Sequence, residues 1–214
     1  MQLQNPFTAL SPTVDADVLA ELASVPPGRP HPLPAIVERT KRSRTGVLTV
    51  LERLVQQGVV LFDDIGGVKT YQLNREHLLA EQIVAISESR ARFLARLRDD
   101  CELIPVRYAA LFGSAARGTM RPDSDIDLFF AVDAAERERA EDRIFDLTGA
   151  VHRWTGNEVN PVVYDATAIS SDDPLIAAID AEGIPLTNDR RWLRNQLREA
   201  ADDPTQARTD DTRR

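Results

Sequence analysis

The chain has 214 residues, enough for one large domain or two small ones with a proper buried core. Its 43% hydrophobic and 28% charged residues are ordinary for a globular protein, and a formal charge of −8 argues against a chain that coats nucleic acid nonspecifically, while leaving room for a local basic face. Cys101 is the single cysteine, which excludes an intramolecular disulfide. No apolar run reaches the length of a membrane span, and residues 1–11 lack the basic start and apolar core of an export signal, so a cytoplasmic location is expected.

Residues 1–13 are polar with two prolines, Pro6 and Pro12, and read as a loose arm. Val18, Leu19 and Leu22 recur at helical spacing, and the run Pro26, Pro27, Gly28, Pro30, Pro32, Pro34 ends that helix. Residues 34–40 read as a short helix with Ile36 and Val37 inward. Lys41 and Arg42 make the turn, and Ser43 is a good N-cap for a second helix. Val47, Val50, Leu51, Leu54 and Val55 form that helix's apolar stripe, and Gly58 stops it. Residues 59–62 and 69–73 then read as two strands joined across residues 63–67 as a hairpin.

Helix, helix, second helix and hairpin in this order resemble a winged helix–turn–helix domain of the bacterial transcription-regulator type, expected over residues 14–74. The resemblance implies double-stranded DNA as a partner, with the first turns of the second helix in the major groove. Under it Arg44, Thr45 and Thr49 face base edges, Lys41 and Arg42 meet phosphates, and Lys69 sits on the wing. Other features weigh against it. Residues 1–80 hold eight Lys/Arg and eight Asp/Glu, Asp63 and Asp64 near the wing repel phosphate, and winged domains also serve as protein-contact or dimer modules.

Leu79, Ile83, Ile86, Phe93, Leu94 and Leu97 recur at threes and fours, so residues 75–100 read as one long amphipathic helix. It is the expected connector over residues 75–104, and its length suits pairing of two chains, so a homodimer through this helix or the winged domain is a further expectation. Pro105 closes it.

The stretch Leu111-Phe112-Gly113-Ser114-Ala115-Ala116-Arg117-Gly118, followed by Ser124-Asp125-Ile126-Asp127, carries the chemistry. One strand ends at Gly113-Ser114, where a helix opens whose free N–H groups suit an anion and whose glycine lets a phosphate come close. A second strand begins at the acids and runs on through Val132. Asp125 and Asp127, two apart on a strand, point to one face with Cα atoms roughly 6.5 Å apart. Two such carboxylates can bind Mg²⁺, which prefers hard oxygen ligands and is usually shared with substrate phosphates. Separately, Gly-Ser is a common turn and Asp-x-Asp a common strand end; in this order and spacing they are hard to explain as packing.

The segment resembles the polymerase-beta-like nucleotidyltransferase superfamily, and is most similar to its small, minimal branch. The resemblance spans residues 106–165 and implies an α/β domain with a small mixed sheet over residues 105–189. The expected fold class is therefore α+β, a winged helix–turn–helix domain followed by a nucleotidyltransferase-fold domain. The resemblance also implies an NTP substrate with Mg²⁺ (or Mn²⁺) held by Asp125 and Asp127, and phosphates cradled by Gly113 and Ser114 with Arg117 free to neutralise them. A third carboxylate sits on the next strand in that superfamily. Here residues 134–154 read as a helix ending at Gly156, and residues 158–165 as that strand, with Asn160 at the matching position. Asparagine carries no charge and cannot act as a base. Glu158 shares its face and is the nearby acid able to substitute.

Leu175, Ile176 and Ile179 mark a short helix over residues 173–182. Residues 183–186, with Pro185, suit a sheet edge, residues 190–201 suit a final helix, and residues 202–214 have a disordered composition. His31, His77 and His152 have no partners at zinc-ligand spacing. Three functions fit these features. One is an NMP transferase. Another is a DNA-binding regulator, or antitoxin-like module, whose second domain only binds nucleotide or a partner. The third is a scaffold, against which the intact Gly113, Ser114, Asp125 and Asp127 count.

Overall fold

A computed structural model describes residues 1–202 and divides the chain into two units, Met1–Phe93 and the remainder from Leu94. The expected disordered tail lies, from residue 203 on, outside the described residues.

The first unit runs α1 (Val14–Ser24), β1 (His31–Pro32), α2 (Leu33–Thr40), α3 (Arg44–Gln56), β2 (Val60–Ile65), β3 (Val68–Leu73) and α4 (Ala80–Ser87). α3 forms where the sequence asks for it. Ser43 Oγ accepts the Gly46 N–H at 3.2 Å, Val47, Val50, Leu51 and Leu54 are buried, and Gly58 leaves the helix at φ 74°. The turn before it depends on Lys41 in the left-handed region at φ 53°. The sheet is antiparallel, in the order β1-β3-β2, and β1 is a strand that the proline run conceals in the sequence.

Three expectations change in this unit. Residues 1–13 are not a loose arm: Leu3 and Phe7 are 1% and 4% exposed, and Asn5 donates to Asp17 at 2.7 Å. Two apolar side chains in a polar segment are enough to seat it. The hairpin loop is shorter than expected, because Asp63, Asp64 and Ile65 continue β2 and the turn is Gly66-Gly67, both at positive φ, as a two-residue hairpin requires. The connector is not one helix from Arg75. Residues 75–79 are turns, in which Asn74 Oδ1 accepts from Glu76 N–H and His77 Nδ1 from Leu79 N–H, each at 3.1 Å. α4 buries Ile83 in the first unit's core, and Glu88, at φ −83° and ψ 0°, separates it from α5 (Ser89–Cys101). The apolar period runs through Glu88 unbroken, which is why the pattern reads as a single helix.

The second unit continues with β4 (Tyr108–Phe112), α6 (Gly113–Arg117), β5 (Ile126–Val132), α7 (Arg137–Thr155), β6 (Val159–Asp165), α8 (Pro174–Glu182), β7 (Ile184–Pro185) and α9 (Trp192–Asp202). Its sheet is small and mixed, in the order β6-β5-β4-β7, with only β5 and β6 parallel. A parallel pair needs a crossover, and α7 supplies it, burying Ala140, Ile144, Leu147 and Val151. β5 is the buried centre: Leu128, Phe129, Phe130 and Ala131 are 0% exposed. Pro185 lies on the edge strand β7, as its missing N–H suits. Tyr108 stacks on Trp192 with centroids 5.9 Å apart, and Arg96 lies 3.8 Å above the Trp154 ring. Burial pushes the Cys101 thiol up to about 12, so it is a packing group rather than a nucleophile. No helix among the described residues is long and apolar enough to cross a membrane.

Candidate functional site

Strand register brings the chemistry-bearing residues of the second unit into one row. Phe112 of β4 lies opposite Asp127 of β5, and Asp127 lies opposite Asn160 of β6. Gly113 follows Phe112, and Asp125 directly precedes β5, so glycine, both acids and the asparagine gather at one end of the sheet. Gly113 has φ 68°, and a Cβ built on it would overlap Asp127 Oδ2. The position needs glycine twice over, for its backbone angle and for the carboxylate beside it.

Asn160 joins the two acids. Its Nδ2 donates to Asp125 Oδ2 at 3.1 Å and to Asp127 Oδ1 at 3.4 Å. Asp127 is partly buried while Asp125 is exposed. Desolvation raises the Asp127 pKa above the usual carboxylate range, with the Asp125 charge adding to the rise and the Asn160 hydrogen bond and the Arg117 charge opposing it. The loop before the acids is pinned by a residue the sequence did not single out. Asn157, 4% exposed, donates through Nδ2 to the Ser124 carbonyl at 2.8 Å, and Ile126 N–H donates to the Glu158 carbonyl at 2.8 Å. A polar side chain directly after a helix-ending glycine was the available signal.

Two expected participants are engaged elsewhere. Arg117 is not free: its Nη1 meets Glu182 Oε2 of α8 at 3.0 Å, a pairing across 65 residues that no local pattern announces. Glu158 is not gathered with the acids. Its carboxylate is 80% exposed and lies 3.8 Å from His152 Nδ1. Ser114 stands in the first turn of α6, next to Gly113.

The residues fit a hard divalent cation in part. Two carboxylates converge on one point, the Asn160 amide nitrogen, and both offer oxygen. The set is one acid short, and no group of three or more His, Cys, Asp or Glu able to hold a metal occurs among the described residues. Such a pair suits Mg²⁺ whose remaining ligands are phosphate and water.

In the first unit, Arg44, Thr45 and Thr49 are exposed on the start of α3, with Thr49 Oγ1 donating to the Thr45 carbonyl at 3.0 Å, and Lys69 is exposed on β3. Lys41 is exposed in the turn. Arg42 is tied down instead, its Nε 2.7 Å from Asp17 Oδ2 on α1. Arg39 likewise pairs with Glu21 at 3.3 Å, and Arg53 pairs with Asp15. The acids of α1 thus neutralise part of the basic cluster. Lys69 is the cross-strand register partner of Asp64 in the hairpin.

Against known families, residues 94–165 match the model of the nucleotidyltransferase domain. No curated protein matches the chain. Among solved structures, one described as a crystal structure of a toxin–antitoxin with AMP-PNP is similar at 18% identity. That likeness covers 51% of this chain and 82% of the other, with a TM-score of 0.35.

Proposed function

We propose that the second unit is a nucleotidyltransferase moving a nucleoside monophosphate from an NTP to a hydroxyl or phosphate of an acceptor, with release of pyrophosphate. The observation that carries this reading is the convergence of Asp125 and Asp127 beside a glycine whose positive φ and close carboxylate leave no ready space for a Cβ. Mg²⁺, or Mn²⁺, would be held by Asp125 and Asp127 and would supply charge stabilisation at the α-phosphate and the leaving oxygens. Gly113 and Ser114 would receive the β- and γ-phosphates, where a missing Cβ permits close approach. Arg117 would join them by exchanging Glu182 for phosphate, a trade favoured because the exposed ion pair is worth little. Positioning and electrostatics supply most of the rate in such chemistry, so a site of this size suffices. Asn160 cannot take the proton of the attacking group, and transfer is therefore slow.

The first unit we propose to be a winged helix–turn–helix that presents Arg44, Thr45 and Thr49 to the major groove of double-stranded DNA, with Lys41 and Lys69 near phosphates. A second reading is favoured by Asn160: a DNA-binding regulator, or an antitoxin-like module, in which the second unit binds nucleotide without turnover.

One assay separates the two readings. Wild-type protein is incubated with α-phosphate-labelled NTPs, Mg²⁺ or Mn²⁺, and cellular RNA, protein and metabolites. The transferase reading expects a label on an acceptor that disappears in Asp125→Ala and rises about 10²-fold in Asn160→Asp, the size of a restored general base. No label from either wild type or Asn160→Asp hands the second unit to the nucleotide-binding reading.

A further inference from the structure

We infer that Asn160 is a cation surrogate: its side-chain amide holds Asp125 and Asp127 together and weakens their hold on a divalent ion that comes without nucleotide phosphates. The inference rests on the reading of the two acids as a metal site and goes beyond it, since it assigns Asn160 a role opposed to that of a ligand.

The geometry has one consistent chemical interpretation. Ionised carboxylates only accept hydrogen bonds, so the group placed between Asp125 Oδ2 and Asp127 Oδ1 must be the NH₂ of Asn160 and not its carbonyl. That nitrogen has two hydrogens and meets two carboxylates, one hydrogen for each. The two acids lie together on one sheet end and Asp127 is partly buried, so a hydrogen-bond donor between them eases their mutual repulsion. An amide NH₂ supplies partial positive charge at the point where a cation's full charge would stand. An ion entering that point must therefore break both hydrogen bonds and turn the amide so that its carbonyl, or nothing, faces the ion. A carboxylate at the same position would do the reverse, repelling its two neighbours until a cation arrived.

The consequence is an order of binding. A free divalent ion would exchange part of its hydration for two carboxylates and must also displace the amide, a poor trade for Mg²⁺, which dehydrates reluctantly. An ion already carried by a triphosphate arrives partly dehydrated, and its phosphates make contacts of their own at the Gly113-Ser114 turn, which offset the displaced amide. The metal–nucleotide complex, rather than the metal alone, is then the species the site selects.

The test uses Mn²⁺ as the probe and the full chain, with binding followed by loss of the free-ion paramagnetic signal. Without nucleotide, Asn160→Ala should bind Mn²⁺ about three- to tenfold more tightly than wild type, the size expected for releasing the acids from two long, exposed hydrogen bonds. If Asn160 were a ligand, its removal would weaken Mn²⁺ binding, and equal or weaker binding by Asn160→Ala overturns the inference. In a second arm the same proteins are titrated with Mn²⁺ and ATP together, alongside Asp125→Ala. Asp125-dependent uptake of Mn²⁺–ATP with no tightening in Asn160→Ala sinks the surrogate role and leaves the metal site standing. Uptake that ignores Asp125 sinks both. A third readout is spectroscopic: the Asn160 side-chain NH₂ resonances, identified by their absence in Asn160→Ala, should shift with Mg²⁺–ATP and stay in place with Mg²⁺ alone.

Discussion

The two units bear their chemistry-carrying residues in contrasting ways. In the second, Gly113, Asp125, Asp127 and Asn160 come from three neighbouring strand ends and constrain one another, to the point where a methyl group on Gly113 has no room. In the first, Arg44, Thr45, Thr49 and Lys69 stand exposed, while Arg42 and Arg39 are partnered by the acids of α1. A site whose members exclude alternatives to one another carries its own support. A cluster of solvated cations is compatible with DNA, with an acidic protein, or with water alone, and gains meaning only from a binding measurement.

The comparison can be broken most sharply at two glycines. Gly113 and Gly66 share nearly the same positive φ, 68° and 61°, but a Cβ on Gly66 meets nothing within 4 Å. Gly66→Ala should cost about 1–2 kcal/mol of backbone strain and leave nucleotide binding unchanged. Gly113→Ala bears the same strain and must also displace Asp127, so Mg²⁺-dependent ATP binding should be abolished. Calorimetric titration with ATP, beside denaturant unfolding of both variants, reads the difference. Equal effects on ATP binding would mean that the close packing at Gly113 has no functional content.

The next largest effect belongs to α3. If Arg44 reads a base, Arg44→Ala should lose about 1–3 kcal/mol of discrimination at one position of a selected duplex. Arg42→Ala should change the salt slope by less than the unit expected of a phosphate contact, because Asp17 already holds that guanidinium. A full-unit change for Arg42 would show that the Asp17 pair opens on DNA. Salt-independent binding by every variant would remove DNA from the first unit.

The smallest effect is one of stability. Burial raises the folded-state pKa of Asp127, so between the ordinary carboxylate value and the raised one the folded chain holds more protons than the unfolded chain. Wild-type stability therefore falls as pH climbs through that window, and Asp127→Asn escapes the loss. Unfolding midpoints for the two proteins should diverge in favour of Asp127→Asn as pH rises from acid to neutral, then run parallel. A gap that stays constant with pH would show that burial does not govern this carboxyl.

Much of this was readable from residues alone. Ser43 as N-cap, Gly58 and Gly156 as helix ends and the buried run through Phe129 and Phe130 all formed as their local chemistry dictates. Asn160 was placed by the family resemblance, since alternation over residues 158–165 alone puts Glu158 on the same face, and Glu158 is not gathered with the acids. What stayed hidden was long-range. Glu182 finds Arg117, Asp17 finds Arg42, and Asn157 finds the Ser124 carbonyl, each across a separation that no periodicity encodes. The break at Glu88 was hidden for another reason. The residues flanking it keep helical spacing, and only the seating of α4 in the first unit's core distinguishes the two halves.

Trp154, beneath Arg96, and Trp192, stacked on Tyr108, are the chain's two tryptophans, and both belong to the second unit. Selective excitation of indole emission therefore follows that unit and is blind to the first. Circular dichroism, by contrast, weighs the helices of both. Coincident melting curves from the two signals would mean that the units unfold as one cooperative body. Separated curves would assign the indole transition to the second unit, with no label, truncation or mutation needed to tell the halves apart.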